Sequence, residues 1–330
     1  MDKVKLTGVW KIIKIALAFL LIGVVFSKIK FEDLISLGRR ISPSWLVVSL
    51  VMFIFVTMGK ALQYYALINP KVTYPRMLNI VIWQNVVSNL FAASAGIASY
   101  ITMLRVEQGV KISRSTSVFL ITKIGDLFFT ALSLGLSGIL LWSSIRNLQS
   151  LIIALLLVIS FILILFWATV VFRKRFMVLI EKILNFLGLV RVPFVKKALE
   201  MLKAISEYQG ESIYRMFVLA MGLSFLYFVL TLGLMYANVR MFEIPISIWP
   251  IILISTLIQL LSLIPISVFG GLGVSDISFM YLFNIFGIPE AESAVLVLGF
   301  RVLSYLLNGL SLVYLPIFNF FDHKEQGISA

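Results

Sequence analysis

With 330 residues, 61% of them hydrophobic, and a mean hydropathy of +1.05, this chain carries more apolar surface than a soluble domain can hide. Cysteine is absent, which excludes disulfides, thiolate metal sites and a cysteine nucleophile, and the single histidine, His323, lies in the polar C-terminal tail. The formal net charge of +13 is concentrated in loops beside apolar runs, which points to the membrane surface and anionic lipid and away from nucleic acid.

Crossing roughly 30 Å of hydrocarbon takes about 20 apolar residues in a helix. Such runs begin with Trp10–Phe26, which lacks a small-residue cleavage site and reads as a retained helix. Trp45–Ile68 is the next full span. Arg76–Leu104 is hydrophobic but sprinkled with Asn79, Gln84, Asn85, Ser88, Asn89, Ser94 and Ser99. Ser115–Trp142 and Ser150–Phe172 follow without interruption. The stretch "RKRFMVLIEKILNFLGLVRVPFVKKALEMLK" (Arg173–Lys203) holds eight basic residues at a spacing that predicts an amphipathic helix lying on the inner leaflet. Ile213–Ala237 is a further span. Trp249–Phe286 would be about 57 Å long as one helix, too long for a single crossing. It is interrupted by Pro265 and Gly270–Gly273. The last span starts near Ala291 and runs to about Phe320.

Both irregular segments predict broken or re-entrant hairpins, because non-helical backbone at membrane depth needs protein or a wet cavity to satisfy it. The fold class is therefore an all-α polytopic integral membrane protein: one transmembrane domain over residues 1–330, with about six full spans and two broken helical hairpins. With a cytoplasmic N-terminus and each hairpin returning to its own side, inside loops hold 18 Lys/Arg and outside loops 6. The remaining four, Lys60, Lys123, Arg215 and Arg301, lie in or at the ends of spans. That asymmetry predicts cytoplasmic N- and C-termini in the cytoplasmic membrane of a prokaryote.

The two irregular regions echo each other at an offset of 178 residues. "GVKISRSTSVFLITK" (Gly109–Lys123) aligns with "GIPEAESAVLVLGFR" (Gly287–Arg301), placing Gly109 on Gly287, Ser115 on Ser293 and Lys123 on Arg301. The echo predicts an inverted repeat, residues 45–142 and 213–320, joined through the basic segment 173–211. Inverted repeats with discontinuous helices are a recurring architecture of secondary transporters.

Charges inside spans are costly, so they face a protein interior or a cavity. Lys123 and Asp126 stand at i, i+3 on one helix face, within pairing reach. They form either a substrate site or a structural ion pair, or Lys123 snorkels to the interface. Arg301 follows sixty residues without a Lys or Arg. It is suited to bidentate contact with a phosphate or carboxylate, or else to pairing with Asp276, Glu290 or Glu292. Asp276, just after Gly270, Gly271 and Gly273, is either a functional acid or a first-turn residue stabilised by a helix N-terminus. Lys60 and Gln63 lie toward the inner half of Trp45–Ile68, where Lys60 has the option of snorkelling. Gln84, Asn85 and Asn89 either line a polar cleft or bond freed backbone across helices.

These residues carry a resemblance. The chain resembles, over nearly its whole length, the transmembrane (flippase-like) domain of lysylphosphatidylglycerol synthases, a domain also found as stand-alone proteins. "GGLGVSDISFMYLFNIFGIP" (Gly270–Pro289) is similar to the family pattern Pro-Gly-Gly-Leu-Gly-Val, an acid two residues later, then Gly-Val-Pro. Arg301 falls where the family has an arginine in its last helix, and "TKIGD" (Thr122–Asp126) resembles Glu-Arg-x-x-Asp. Ile97 and Tyr100 replace charged residues of the family's first break, Thr122 replaces its Glu, and Phe269 its Pro. The sequence shows no counterpart of the soluble synthase domain. The resemblance thus implies translocation or binding of a phospholipid or lipid-linked headgroup, with Arg301 and Lys123 holding an anionic phosphate and Asp276 and Asp126 positioning them. The scheme needs no cofactor or metal. Its partners are membrane lipids with an anionic headgroup, and a homodimer or a separately encoded lipid-modifying enzyme stays open. The alternative is a membrane enzyme or accessory subunit acting on a lipid phosphate.

Overall fold

A computed structural model describes residues 41–68, 72–91, 93–186, 213–261 and 274–314, with a few isolated positions between 187 and 212. The predicted span Trp10–Phe26, the glycines Gly270, Gly271 and Gly273, and most of the basic segment beyond Phe186 lie outside the described residues.

Every regular element described is helical. The order is α1 (Pro43–Ile68), α2 (Tyr74–Leu90), α3 (Ala93–Val106), α4 (Ile112–Leu140), a 3₁₀ turn (Arg146–Leu148), α5 (Gln149–Phe186), α6 (Ile213–Met241), α7 (Ile248–Leu261), α8 (Val274–Ile285) and α9 (Glu290–Ser311). Five of these stretches are long and apolar enough to cross a membrane: Pro43–Ile68, Ile112–Leu140, Arg146–Phe172, Arg215–Met241 and Glu290–Ser311. They coincide with five of the spans read from the sequence. The first predicted break is present, between α2 and α3 at Phe91; the second, at Pro265 and Gly270–Gly273, lies between α7 and α8 and outside the described residues. The chain is an all-α polytopic membrane protein.

One boundary differs. The span predicted to stop at Phe172 continues unbroken to Phe186, making α5 38 residues long, or about 57 Å. Arg173–Arg175 therefore extend a helix already formed, because Arg and Lys are good helix formers and no Gly or Pro intervenes before residue 186.

Among the described residues the interior holds a small apolar cluster of Met280, Ala294 and Val297 between α8 and α9, and two large apolar cores. One joins the C-terminal end of α1 (Leu67, Ile68), the first hairpin (Met77, Leu104), the start of α4 (Val118) and Val170 of α5. The other joins the far ends of α4, α5 and α6 to α7, α8 and α9, through Leu134, Ile152, Val239, Leu253, Phe283 and Leu296. The two hairpins thus pack at opposite ends of the same long helices. α1 and α6 run antiparallel side by side, with Gly59 against Leu230 at one level and Gly233 against Met52 at another. Large apolar side chains such as Val47, Leu132, Leu157 and Phe161 point outward, as lipid-facing surfaces do.

The loops that leave the two hairpins are built alike. Gly109 and Gly287 both have positive φ, 63° and 84°, a conformation glycine adopts without steric cost. The next residue's N–H closes back on the preceding helix in each case, Val110 onto the Leu104 carbonyl and Ile288 onto that of Phe283. Ser115 and Ser293, one turn into the following helices, are both fully buried.

Candidate functional site

Among the described residues, three polar groupings bear on a site within the bundle. The first is built on α1, α4 and α6. Lys60 Nζ donates to Asp126 Oδ2 at 2.8 Å and to Gln63 Oε1 at 2.7 Å. Gln63 in turn donates through Nε2 to Asp126 Oδ1 at 2.9 Å and to Ser224 Oγ at 2.6 Å. The ammonium group also lies 5.0 Å from the centre of the Tyr64 ring and 4.5 Å from that of Tyr227, within cation–π range. Small residues make this crossing possible. A Cβ on Gly125 would collide with the side chain of Ser224, so glycine there lets α4 approach α6 closely enough to bring Asp126 and Ser224 to the same amide.

Lys123, the i, i+3 neighbour expected to hold Asp126, stands 3.8 Å from its Oδ2 and is 40% exposed, whereas the Lys60 side chain is 8% exposed. The closer partner is the cross-helix lysine. Lys60, Lys123 and Asp126 together leave one positive charge uncompensated within the trio.

The second grouping joins α8 to α9. Arg301 donates to Asp276 Oδ1 at 2.7 Å, and both side chains are largely buried. Asp276 lies in the first turn of α8, where the helix dipole favours a negative charge. This pairing is one of the two roles that the sequence leaves open for Arg301.

The third is a cleft of about 160 Å³ between α1, α2, α6 and α9. Its polar lining is Asn85, Asn89, Asn238, Ser304 and Asn308, and Phe53, Leu234, Phe300, Leu303 and Leu307 supply the apolar part. Asn85 and Asn89, four apart on α2, reach it from the tip of the first hairpin. Gln84 does not; its Nε2 points at the Tyr64 hydroxyl, 3.5 Å away, on the other face of α2. Asn238 accepts a hydrogen bond from Ser49 of α1. Asn308 donates to the Ser304 carbonyl at 2.8 Å.

Sequence reasoning overlooked Asn238, Ser304 and Asn308, and gave Lys60 no more than a marginal place. The available signal was the rarity of a lone amide or ammonium in an otherwise apolar span. Arg114 was also missed. It donates to the carbonyls of Leu67 and Ile68 at 2.8 Å each, capping the C-terminus of α1 with a cation where the helix dipole is negative.

The comparisons with known proteins come to one match. A family model described as lysylphosphatidylglycerol synthase TM region covers residues 11–311. No curated protein and no solved structure matches.

Proposed function

From membership of the lysylphosphatidylglycerol synthase TM region family, to which this chain belongs, we propose that the protein binds the headgroup of a phospholipid or lipid-linked compound inside the bundle and moves it between leaflets. The family points to a membrane protein of lipid handling; translocation is our reading. The observation that carries it is the 160 Å³ polar cleft at the tip of the broken α2/α3 hairpin, inside helices whose outer faces are apolar. A headgroup cannot cross hydrocarbon unaided, because each unsatisfied polar group there costs several kcal/mol. An amide-lined cleft reached by a broken helix lowers that barrier.

Two further features support the reading. The hairpins pack at opposite ends of the long helices, and α1 and α6 are antiparallel. Those are the relations an inverted repeat would impose, and rocking of one repeat against the other is the motion we propose for alternating access. The surplus positive charge at Lys60, Lys123 and Asp126 suits a lipid phosphate, with Lys123 as the contacting group. Arg301 and Asp276 would hold α8 against α9.

We place the protein in the cytoplasmic membrane of a prokaryote with the first hairpin opening inward. Among the described residues, Arg76, Arg105, Lys111, Arg114 and Arg215 fall at helix ends around the first core and Arg175 on the part of α5 that runs beyond it, against Arg146 and Arg240 at the opposite ends, and positive charge marks the cytoplasmic side.

The test is lipid scrambling in proteoliposomes, read as the loss of inner-leaflet fluorescent phospholipid to an impermeant quencher. Purified protein should exceed protein-free vesicles. Equal rates, with the protein folded and inserted, would remove the translocase reading.

A further inference from the structure

We propose that the cleft between α1, α2, α6 and α9 takes the hydroxyls of an uncharged sugar or polyol headgroup; this rests on the lipid-translocation reading and adds the substrate class to it. Asn308 is the starting point. It is 6% exposed, and its amide orientation follows from its hydrogen bond, since only the NH₂ can donate to the Ser304 carbonyl at 2.8 Å. That leaves Asn308 Oδ1, a buried acceptor, with no partner among the described residues. Buried polar atoms in native structures are overwhelmingly paired, so an orphan on a cleft wall marks a place where something else donates.

The missing partner must bring a hydrogen. A fully ionised phosphate or carboxylate brings acceptors alone and would face Asn308 Oδ1 with like partial charge. An ammonium brings donors together with a charge, and none of the ten lining residues is acidic or basic. A charge at this depth without a counter-ion is strongly disfavoured. A hydroxyl brings a donor and an acceptor and no charge. Asn238 complements it: its Oδ1 is taken by Ser49, so its NH₂ is the group left to give a hydrogen bond. One hydroxyl can donate to Asn308 and accept from Asn238, and Asn85, Asn89 and Ser304 offer further partners of both kinds.

Size and the apolar wall agree with this class. The cleft, at about 160 Å³, is close to an engineered cavity of about 150 Å³ that accepts benzene, a ligand of six heavy atoms. A polyol unit or one side of a sugar ring is of that order. Phe53, Phe300 and three leucines present an apolar surface that suits the C–H face of such a ring. This selectivity runs against a cationic headgroup, even though the family is described by an aminoacylated lipid.

The experiment is native mass spectrometry of the full chain in nanodiscs doped in turn with glucosyl-diacylglycerol, phosphatidic acid and lysylphosphatidylglycerol, with scrambling measured separately on the same protein. Glucosyl-diacylglycerol should be retained about tenfold better than the other two, the ratio expected for one buried hydrogen-bonded hydroxyl. Asn308→Leu, close in shape to asparagine, should abolish the preference, and Asn238→Leu should do the same should the first variant not fold. Equal retention of the three lipids, a preference for either charged lipid, or a preference that survives both substitutions overturns the proposal. Methyl glucoside binding as tightly as the glycolipid overturns its lipid part. Selective retention by a protein that scrambles nothing supports the cleft and overturns translocation; scrambling with no headgroup preference supports translocation and overturns the cleft.

Discussion

At the 178-residue offset the polar positions of the two halves correspond but differ in chemistry. Lys60 on α1 corresponds to Asn238 on α6, and Asp126 on α4 corresponds to Ser304 on α9. In the first half the two residues meet as an ion pair at 2.8 Å, closed over by Gln63 and two tyrosine rings. In the second half the corresponding residues line an open cleft. Opposite charges in a low-dielectric interior draw helices together and leave no room, whereas amides and hydroxyls tolerate a gap that a ligand can fill. The first half thus acts as a clamp and the second supplies a wall of the cleft that we propose as the binding space. Arg301, which corresponds to Lys123, is itself held by Asp276, so among the described residues the surplus charge of these intramembrane pairs is on the first half.

Removing a charge from the clamp is the most drastic way to break this contrast. Asp126→Leu leaves Lys60 buried without its carboxylate and should cost about 3–5 kcal/mol, seen as a large fall in thermal unfolding temperature in detergent. The double variant Lys60→Met/Asp126→Leu should recover most of that loss. Asn238→Leu, at the position corresponding to Lys60, should cost only about 1 kcal/mol. Similar losses at the two positions would erase the distinction between clamp and cleft.

Crowding the clamp is the next largest effect. Gly125→Val forces α4 off α6 at the point where Ser224 bonds Gln63, and overpacking of this kind costs about 1–3 kcal/mol. Gly299→Ala in the second half meets the Phe242 ring, which is buried and packed on Phe300, so a loss of similar size is expected there. The loops that leave the hairpins should likewise respond equally. Nothing lies within 4 Å of a Cβ built at Gly109 or Gly287, so Gly109→Ala and Gly287→Ala report backbone strain alone, about 1–2 kcal/mol each. Unequal losses, measured by the same unfolding assay, would separate the two loops and weaken the repeat.

What could be read from the sequence was whatever depends on local pattern. Apolar run length located five of the described spans, and the polar sprinkling of 76–104 located the first break, because both follow from hydrocarbon thickness and backbone satisfaction; the break expected at the glycines near 270 lies outside the described residues. The partner of Asp126 was not legible. Spacing within a helix offered Lys123 at i, i+3, but the register between α1 and α4 is set by packing across 66 residues of sequence. Gly59 beside Lys60 and Gly125 beside Asp126 were the signs of close helix crossings there. Asn238 and Asn308 were hidden for the same reason, each being a single amide in a long apolar span whose neighbours come from distant helices. Only the Asn85/Asn89 pair, four apart on one helix, was close enough in sequence to suggest a cleft.

Lys123 gives the smallest stability effect and the most specific functional one. The Asp126 oxygen nearest to it already accepts from Lys60 at 2.8 Å, and Lys123 stands 3.8 Å away, 40% exposed. A partly exposed pair at that distance is worth about 0–1 kcal/mol, so Lys123→Met should leave the unfolding temperature nearly unchanged while Lys60→Met lowers it. In proteoliposomes the order should reverse in meaning. With the clamp intact, Lys123→Met removes the uncompensated charge and should slow scrambling of an anionic phospholipid while sparing an uncharged glycolipid, and Lys123→Arg should restore the rate. On the proposed reading the anionic lipid is attracted through a charge and the glycolipid held through hydroxyls, so raising the salt concentration should mimic the methionine variant for the first lipid alone. If both lipids slow equally, Lys123 has no part in recognising a phosphate, and its surplus charge serves the fold or the interface instead.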